Sequence, residues 1–512
     1  MNEKRSIRLS GCALCLLLVV ALVGAARADV TVWQRDPAAP GDWFDPVNWT
    51  EQVPGSDDDA VIDNDGEAQI GGGGAQALNL YVGLSTGQSG TVHQTAGTNT
   101  LGDFLIVGGL SGSSGSYILT AGELSAKRES IGNEGTGSFY QDGGDHSVSS
   151  QLVLGAVAGS QATYTLLSCD LSVAYYEYIG SEGSATFSQS GGTHTVGFSL
   201  TLGAASASYG AYELQPGGEL STHMVYVGDG GTGEFTQTGG THTVASKLCL
   251  GYFGGSEGSY TISAGSLSVK DFYVGMNGIG SLEITRAGQV AVSGKLRFGP
   301  LSSLSAVPGS AIHMTGADFE NTSTDPLALA GLGSLELIFE GGAEAIDALE
   351  AAGEDMGAVA AGWTDNFALA ALTLGGADAG RIRLVDNSDN QPVWEGAEAV
   401  YVDGLALHAG ATIDLNGLKL YYLNDGPPKQ FFRGDVNLDG SVDGGDYSLW
   451  ADHYLLGGMS WGDGDLNGDG VVDGGDYTLW ADNYGSATAA VIPEPVTLSL
   501  LAIGAVAMIR RR

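Results

Sequence analysis

The stretch "GDGGTGEFTQTGGTHTVASKLCLG", from Gly228 to Gly251, decides the fold, because its pattern recurs along the chain at a steady spacing. It contains three short runs typical of β-strands, EFTQT, THTV and LCLG, which glycine and serine turns separate. An apolar residue followed by glycine marks the end of each repeat. The marker glycines are Gly83, Gly108, Gly132, Gly155, Gly180, Gly203, Gly228, Gly251, Gly275 and Gly299.

The spacing of these glycines predicts a solenoid. The intervals from Gly83 to Gly299 span 216 residues and have a mean of 24. A period of this length indicates stacked structural units rather than a closed globule. We therefore predict a mainly β protein, a parallel β-solenoid with about 24 residues and three strands in each coil.

One position of the repeat is almost always aromatic. In a solenoid, equivalent residues of neighbouring coils lie about 4.8 Å apart, which is close to the packing distance of aromatic rings. The pattern therefore predicts a stacked core column. Its members are Tyr117, Phe139, Tyr164, Phe187, Tyr212, Phe235, Tyr260 and Leu282.

Three histidines alternate with leucine at another position of the repeat. Histidines two coils apart would be separated by about 9.6 Å. One metal ion cannot bridge them, because its ligands lie near 2 Å from it. We predict neutral, hydrogen-bonded core histidines in the column Leu124, His146, Leu171, His194, Leu220, His242 and Leu267.

Two acidic loops follow the repeats, in "GDVNLDGSVDGGDYSLW" from 434 to 450 and "GDLNGDGVVDGGDYTLW" from 464 to 480. Oxygen donors recur at positions 1, 3, 5, 7, 9 and 12 of each loop, with glycine at position 6. This spacing suits a hard cation that takes six or more oxygens, and it predicts two Ca²⁺ ions. The predicted ligands are Asp435, Asn437, Asp439, Ser441 (carbonyl), Asp443, Asp446, Asp465, Asn467, Asp469, Val471 (carbonyl), Asp473 and Asp476.

Each loop runs into a predicted helix whose aromatic residues recur at i, i+3 and i+7. We expect the two helices to bury these aromatic faces against each other once calcium has folded both loops. The region Gly434 to Gly485 resembles the type I dockerin, which implies a small α-helical domain, two calcium ions and a cohesin-like protein as partner. The family selects its cohesin partly through positions 10 and 11, which are glycines here: Gly444, Gly445, Gly474 and Gly475.

The two ends of the chain indicate export. Residues 1–28 combine a basic start, an apolar run and a small-residue cleavage site, as in a secretory signal peptide. The end, "IPEPVTLSLLAIGAVAMIRRR", resembles the PEP-CTERM sorting signal of Gram-negative bacteria. This resemblance implies transient membrane insertion of the apolar tail, processing by an exosortase, and delivery to the cell surface or extracellular matrix.

The repeat itself, with its core "GTGEFTQTGGTHTV", is similar to the repeat shared by PEP-CTERM proteins and autotransporter passenger domains. That similarity implies a right-handed, extracellular β-solenoid. Residues 344–352, rich in Ala, Glu and Leu, predict a short helix. The predicted organisation is a signal peptide (1–28), an N-terminal β cap (29–75), solenoid repeats (76–300), an irregular β region with a C-terminal cap (301–424), a linker (425–430), a dockerin-like calcium domain (431–486) and the sorting signal (491–512).

Composition limits the functions to consider. With 59 acidic and 20 basic residues, the net charge of -39 disfavours nucleic acid as a partner. Cys169 and Cys249 lie in different repeats, so we expect free thiols. We expect a non-catalytic surface or matrix scaffold, structural or adhesive, with a calcium-dependent docking module. The alternative is a dockerin-tethered polysaccharide-degrading enzyme, a glycoside hydrolase or lyase, because β-helices host such enzymes and dockerins commonly tether them to assemblies. Extracellular polysaccharide is a further expected partner.

Overall fold

The computed structural model describes residues 29–36, 39–285, 287–342 and 346–489, so the predicted signal peptide and sorting signal lie outside the described residues. The chain is mainly β, with about 50% strand and 7% helix, and contains a parallel β-solenoid of about 16 turns. The chain forms two compact units, one that ends at Leu337 and one that begins at Ile338. In the described residues, no helix is long and apolar enough to cross a membrane.

The first unit is built from strands, with 3₁₀ turns at Pro46–Asn48 and Ala330–Ser334. The strands are β1 (Val30–Val32), β2 (Gly41–Asp42), β3 (Asp59–Ile62), β4 (Gly66–Ala77), β5 (Asn79–Val82), β6 (Ser89–Leu101), β7 (Phe104–Val107), β8 (Ser114–Leu119), β9 (Glu123–Ile131), β10 (Thr136–Gln141), β11 (Asp145–Leu154), β12 (Gln161–Leu166), β13 (Leu171–Val173), β14 (Tyr176–Ile179), β15 (Ser184–Gln189), β16 (Thr193–Leu202), β17 (Tyr209–Leu214), β18 (Glu219–Val227), β19 (Thr232–Gln237), β20 (Thr241–Leu250), β21 (Glu257–Ile262), β22 (Gly265–Val274), β23 (Ile279–Ile284), β24 (Gly288–Phe298), β25 (Ser302–Ala306), β26 (Ser310–Met314) and β27 (Asp318–Asn321).

The second unit combines strands with two α-helices, and has 3₁₀ turns at Ala360–Trp363 and Trp461–Asp463. Strand β28 (Leu335–Phe339) includes the boundary between the units. The remaining elements are β29 (Asp347–Glu350), β30 (Gly353–Glu354), β31 (Leu369–Leu374), β32 (Arg381–Val385), β33 (Glu398–Leu407), β34 (Thr412–Asp414), β35 (Lys419–Tyr422), β36 (Lys429–Gln430), α1 (Gly444–Asp452) and α2 (Gly474–Asn483).

Parallel pairing between successive coils confirms the predicted period. Strand β10 pairs with β8 and β12, so that Phe139 lies between Tyr117 and Tyr164. The second and third strands of a coil usually join into one longer strand that changes register at a corner, as β11 does between Val148 and Gln151. In the next coil they are separate, as β13 and β14. The right-handed sense of the coils stays a prediction.

The marker glycines occupy a left-handed backbone conformation at the end of each coil. From Gly83 to Gly275 their φ angles lie between 62° and 74°. At Gly228, a Cβ atom would also collide with the backbone carbonyl of Glu257. Glycine alone adopts this conformation without steric cost, so the repeat keeps glycine there.

The aromatic column forms the stacked core that the sequence predicts. From Tyr117 to Tyr260 the ring centroids of neighbours are 4.6 to 5.1 Å apart, and their planes lie within 6° of parallel. These seven rings are at most 1% exposed. Because one ring follows another at the strand spacing, the column buries apolar surface along the coils. The two cysteines, Cys169 and Cys249, are free thiols.

The N-terminal segment is organised by three buried tryptophans, Trp33, Trp43 and Trp49, each at most 1% exposed. Trp49 packs edge-on against the other two at 5.0 and 4.9 Å. Its indole N–H donates to the carbonyl of Trp43 at 2.7 Å. Strand β1 already pairs in parallel with β3, and β2 with β4.

The helix predicted near residues 344–352 is wrong for the part that the structure describes. Residues Asp347–Glu350 form β29, which pairs in parallel with β32. Leu349 is 1% exposed in that strand. Burial and strand pairing outweigh the helical preference of Ala, Glu and Leu, which amounts to a few tenths of a kcal/mol per residue, about 0.7 at most.

Candidate metal centre and docking surface

Both predicted calcium loops fold around a buried aspartate at position 1. Asp435 is fully buried, and its carboxylate accepts hydrogen bonds from the backbone N–H groups of Asp439 at 3.0 Å and Gly440 at 2.9 Å. The left-handed φ of 89° at Gly440 permits this sharp turn. In the second loop, Asp465 accepts from Gly470 at 2.9 Å, and the φ of Gly470 is 87°.

The aspartate at position 12 ties each loop to the first turn of its helix. Asp446 accepts hydrogen bonds from the N–H groups of Val436, Asn437 and Asp443 at 2.8, 3.2 and 2.8 Å. Asp476 makes the three equivalent bonds at 2.8, 3.0 and 2.8 Å. The residue at position 9 caps the helix in both halves. The loop and the helix therefore fold as one piece.

The other predicted ligands line the rim of the loops. Asp439 and Asp469 are exposed, and each accepts the N–H of the residue at position 7, at 3.0 and 2.9 Å. Within the described residues, no group of three or more His, Cys, Asp or Glu side chains is arranged to hold a metal ion. The loop carboxylates instead face backbone N–H groups. Each carboxylate oxygen has two lone pairs, so an oxygen that accepts a single hydrogen bond, as Oδ1 of Asp435 does, keeps one for a further partner. Oδ1 of Asp446 and Oδ1 of Asp476 already accept two each.

Burial makes ionisation of the loop carboxylates costly. It raises the pKa of Asp435 to about 6, and the neighbouring Asp446 raises it as well. Burial also raises the pKa of Asp446, Asp465 and Asp476, each again with a nearby carboxylate acting in the same direction. When folding raises the pKa of a carboxyl group, ionisation of that group destabilises the fold. The destabilisation begins as the pH rises above the pKa that the group has in the unfolded chain. At neutral pH the loops thus concentrate negative charge that a cation would offset.

The two loop–helix halves contact each other reciprocally. The indole N–H of Trp450 donates to the carbonyl of Asp473 at 2.9 Å, and that of Trp480 donates to the carbonyl of Asp443 at 2.9 Å. The main chain repeats the exchange, because position 8 of each loop donates to the segment that follows the other helix, at 2.8 and 3.1 Å. Each half therefore completes the other.

Six aromatic rings of the two helices form a continuous surface, which we call the aromatic ribbon. Six contacts between neighbouring rings have centroids 5.1 to 5.6 Å apart, and the rings of Tyr447 and Tyr477 are 6.5 Å apart. The members of the ribbon are Tyr447, Trp450, Tyr454, Tyr477, Trp480 and Tyr484. The helices do meet through these rings, but the prediction that the rings become buried is wrong. The four tyrosines are 42% to 63% exposed. Helices of nine and ten residues that cross at one point cannot cover all six rings.

The loops also contact strands of the second unit. Tyr422 on β35 donates to the Asp435 carboxylate at 3.0 Å, and Arg381 on β32 donates to the carbonyl of Gly468 at 2.7 Å. The last two residues of the predicted linker 425–430 form β36, which pairs antiparallel with β35. These contacts attach the loop–helix region to the strands that precede it.

A buried polar network runs beside the aromatic stack, and the sequence analysis missed it. The glutamines Gln94, Gln141, Gln189 and Gln237 each accept a hydrogen bond from a tyrosine hydroxyl of the next coil, at 2.6 to 2.7 Å. The three predicted core histidines are at most 2% exposed, and each contacts the same hydroxyl at 2.8 to 3.0 Å. At the equivalent position of an earlier coil Asn99 takes the place of the histidine, and its side-chain amide donates to the hydroxyl of Tyr117 at 2.9 Å. The regular spacing of the glutamines could have revealed the network.

The third histidine differs from the first two. His146 contacts Glu129 at 2.7 Å and His194 contacts Glu177 at 2.8 Å, with all four side chains fully buried. Val225 takes the equivalent place beside His242. The Nε2 atom of His242 is buried without a hydrogen-bond partner. Burial lowers the pKa of His242 to about 3, so this imidazole is neutral.

Parallel coils, a stacked core and a continuous register make this chain a β-solenoid repeat protein. Comparison with family models, with characterised proteins and with solved structures gives no match. Functional statements therefore depend on the geometry of the described residues and on the sequence patterns.

The glycoside hydrolase alternative requires two carboxylates about 5 to 10 Å apart. One groove on the coils is lined by Lys127 and contains no carboxylate, and another contains a single carboxylate, that of Glu219. Neither groove supplies the pair. The enzyme stays an alternative hypothesis without an observation that favours it.

Proposed function

We propose that this protein is a non-catalytic scaffold of the cell surface or extracellular matrix, with a calcium-dependent docking module of the dockerin type at Gly434–Gly485. The observation that carries the proposal is the reciprocal contact of the two loop–helix halves. A region this small buries little apolar surface, so it needs an additional source of stability. Two ions bound by two matching loops would supply it.

The proposed cofactors are two calcium ions, one in each loop. The side chains at positions 1, 3, 5, 9 and 12 and the carbonyl at position 7 would hold each ion. Calcium accepts six to eight oxygen ligands with flexible geometry, which suits a mixture of carboxylate, amide and main-chain oxygens. The burial of Asp435, Asp446, Asp465 and Asp476 supports this role, because the positive charge would offset the repulsion among them.

Calorimetric titration of calcium into the full mature chain tests the proposal, with tryptophan fluorescence as a second signal. We expect two bound ions, and one ion after either Asp439→Asn or Asp469→Asn, since both side chains are exposed at position 5. Asp482→Asn, an exposed site on α2, is the matched control and should leave two ions bound. Absence of binding, or two bound ions in both Asp439→Asn and Asp469→Asn, would reject the calcium sites.

The aromatic ribbon is the proposed docking surface, and a cohesin-like protein is the proposed partner. Exposed tyrosine and tryptophan are enriched where proteins bind each other. The glycines at positions 10 and 11 lack side chains, so the ribbon would have to provide the specificity. Binding of a purified cohesin domain should require calcium and weaken at least tenfold in Trp450→Ala. Absence of binding with calcium bound would reject this partner while leaving the ion sites intact.

Export completes the proposal: a signal peptide, transient insertion of the C-terminal tail in the membrane, and release or anchoring by an exosortase in a Gram-negative bacterium. Its support is the sequence of the two ends alone. Mass spectrometry of the protein recovered from the cell surface should show a new N-terminus at Asp29 and the loss of the residues after the Pro-Glu-Pro motif. A full-length chain in the cytoplasm would contradict it.

A further inference from the structure

One face of the first unit has a composition unlike the rest. It is formed by the third strand of successive coils and the corner that precedes it. From residue 39 to residue 321, every lysine and arginine that the structure describes lies on this face, although the sequence analysis had no reason to group them. These residues are Lys127, Arg128, Lys247, Lys270, Lys295 and Arg297.

Exposed aromatic rings occupy the same face over four successive coils, and two of them, Tyr252 and Phe253, lie in the turn that follows the third strand. Tyr175 is 56% exposed, and Tyr176 and Phe198 are each 39% exposed. The rings of Tyr176 and Phe198 meet at 5.1 Å. Further along, Tyr226 meets Tyr252 at 4.9 Å, and Tyr252 meets Phe253, which is 43% exposed, at 4.7 Å.

The fold does not require these rings. In the register of the strands, the place of Tyr176 is taken by Gln151 in the preceding coil and by Ser199 in the following coil. Coils therefore form equally well with polar side chains there. Exposed aromatic clusters without a packing role mark interaction surfaces.

Three lysines on this face, Lys127, Lys247 and Lys270, lack a carboxylate partner within the part of the chain that the structure describes. By contrast, Arg128 is paired with Asp103, and Lys295 with Glu320. The ammonium group of Lys247 lies 5.3 Å from the ring of Tyr226 and 5.7 Å from that of Tyr252. Acidic residues outnumber basic ones almost threefold in this chain, so unpaired lysines indicate a place for an external anion.

Lys127 lies in an open groove that leads to the aromatic rings. The groove measures about 440 Å³ and is lined by Ser125, Lys127, Ser147, Ser149, Ser150 and Tyr175, among others. It contains hydroxyl groups, one ammonium group and the most exposed ring of the face. Hydroxyls and an aromatic platform are the groups that bind a sugar ring, through its own hydroxyls and its C–H face.

We propose that this face, from the groove at Lys127 to Lys247 and Phe253, binds a polysaccharide whose sugars carry carboxylate groups, as uronic-acid polymers do. The rings stack on the sugars, the serines contact their hydroxyls, and Lys127 and Lys247 contact carboxylates. The four coils from Tyr175 to Phe253 present the rings over about 14 Å, which suits a chain of sugars rather than one sugar. This proposal rests on the adhesive role of the scaffold and assigns its ligand class.

Binding of the full mature chain to sodium alginate, measured by calorimetry or by affinity electrophoresis, tests the proposal. The experiment is run with a calcium chelator, so that failure of the calcium module cannot be mistaken for failure of this surface. We expect about tenfold weaker binding in Tyr175→Ala and in Lys127→Gln. Binding should also weaken as salt rises, because salt screens the lysines.

Matched variants separate this surface from general effects. Tyr140→Ala removes a ring that is 39% exposed on a different strand face, and Lys295→Gln removes a lysine already paired with Glu320. Both should bind alginate as the parent does, and thermal unfolding should confirm that every variant is folded. Equal binding of the neutral polymer dextran would overturn the carboxylate assignment. Failure to bind alginate, or equal loss in the control variants, would overturn the surface itself.

Discussion

The aromatic residues of the solenoid and those of the helices have the same chemistry and opposite geometry. In the core stack the ring planes are within 2° to 6° of parallel and the rings are at most 1% exposed. In the aromatic ribbon neighbouring planes are inclined by 36° to 76°, and the tyrosines are largely exposed. Strand pairing imposes the register of one set, whereas the other depends on a single crossing of two short helices.

The largest expected effect is the loss of a ring from the core stack. Phe187→Ala should lower the free energy of unfolding by about 3 to 5 kcal/mol, because it leaves a cavity between two tyrosines. Denaturant unfolding of the first unit, followed by circular dichroism, measures the change. Tyr140→Ala, exposed on the same kind of strand, should cost no more than about 0.5 kcal/mol. Equal losses would mean that the stack adds nothing beyond ordinary strand pairing.

A pair of histidine variants sharpens the comparison inside the core. His194→Leu leaves the buried carboxylate of Glu177 without its partner, and should cost about 3 kcal/mol or more. His242→Leu removes an imidazole that has no carboxylate beside it, and should cost less than about 1 kcal/mol. The hydroxyl of Tyr260 keeps its bond to Gln237 in that variant. Similar costs at the two sites would contradict the role assigned to the glutamate.

A smaller effect concerns pH. The pKa of His242 is about 3 in the folded chain, below its ordinary value of 6.5. Its contribution to stability is therefore fully present above about pH 6.5 and is lost as the pH falls toward 3. By pH 4 the parent should lose on the order of 1 to 3 kcal/mol through this group.

The variant His242→Asn tests that loss, because Asn99 already fills the equivalent position and donates to Tyr117. Denaturant unfolding between pH 7 and pH 4 should show a weaker pH dependence in the variant than in the parent. Parallel curves for the two proteins would show that His242 does not titrate as its burial demands.

The smallest effect on stability is expected in the aromatic ribbon. Tyr484 is 63% exposed, so Tyr484→Ala should change the free energy of unfolding by no more than about 0.5 kcal/mol. Calcium affinity, measured by titration, should stay within about twofold of the parent, because Tyr484 is not a predicted ligand. A stability loss as large as that of Phe187→Ala would mean that the ribbon is a core rather than a surface.

Much of the fold could be predicted because the same residue types recur at the same positions of the repeat. The marker glycines, the aromatic column and the histidine column each correspond to a position of the coil that the structure contains. Local sequence patterns did not predict the structure where it depends on pairing with a residue that is distant in sequence. Asp347–Glu350 is a strand because β32 pairs with it. The carboxylates of Glu129 and Glu177 are buried because each contacts a histidine of the following coil.

The loop ligands illustrate both sides of this division. Their spacing is a local property, and in the structure the position 1 and position 12 aspartates of each loop accept hydrogen bonds from backbone N–H groups. The exposure of the aromatic ribbon depends on how far two helices overlap, which no spacing of tyrosines and tryptophans specifies.

The sequence by itself determined the period, the stacked column and the acidic loops, because each arises from interactions at a fixed separation along the chain. Only the tertiary structure decided which residues share a face. The lysines and arginines that the structure describes between residues 39 and 321 are scattered in sequence but lie on one face. They do so because a coil of about 24 residues places the third strand of one coil beside the third strand of the next. Side chains far apart in the chain thus become neighbours at the spacing of parallel strands.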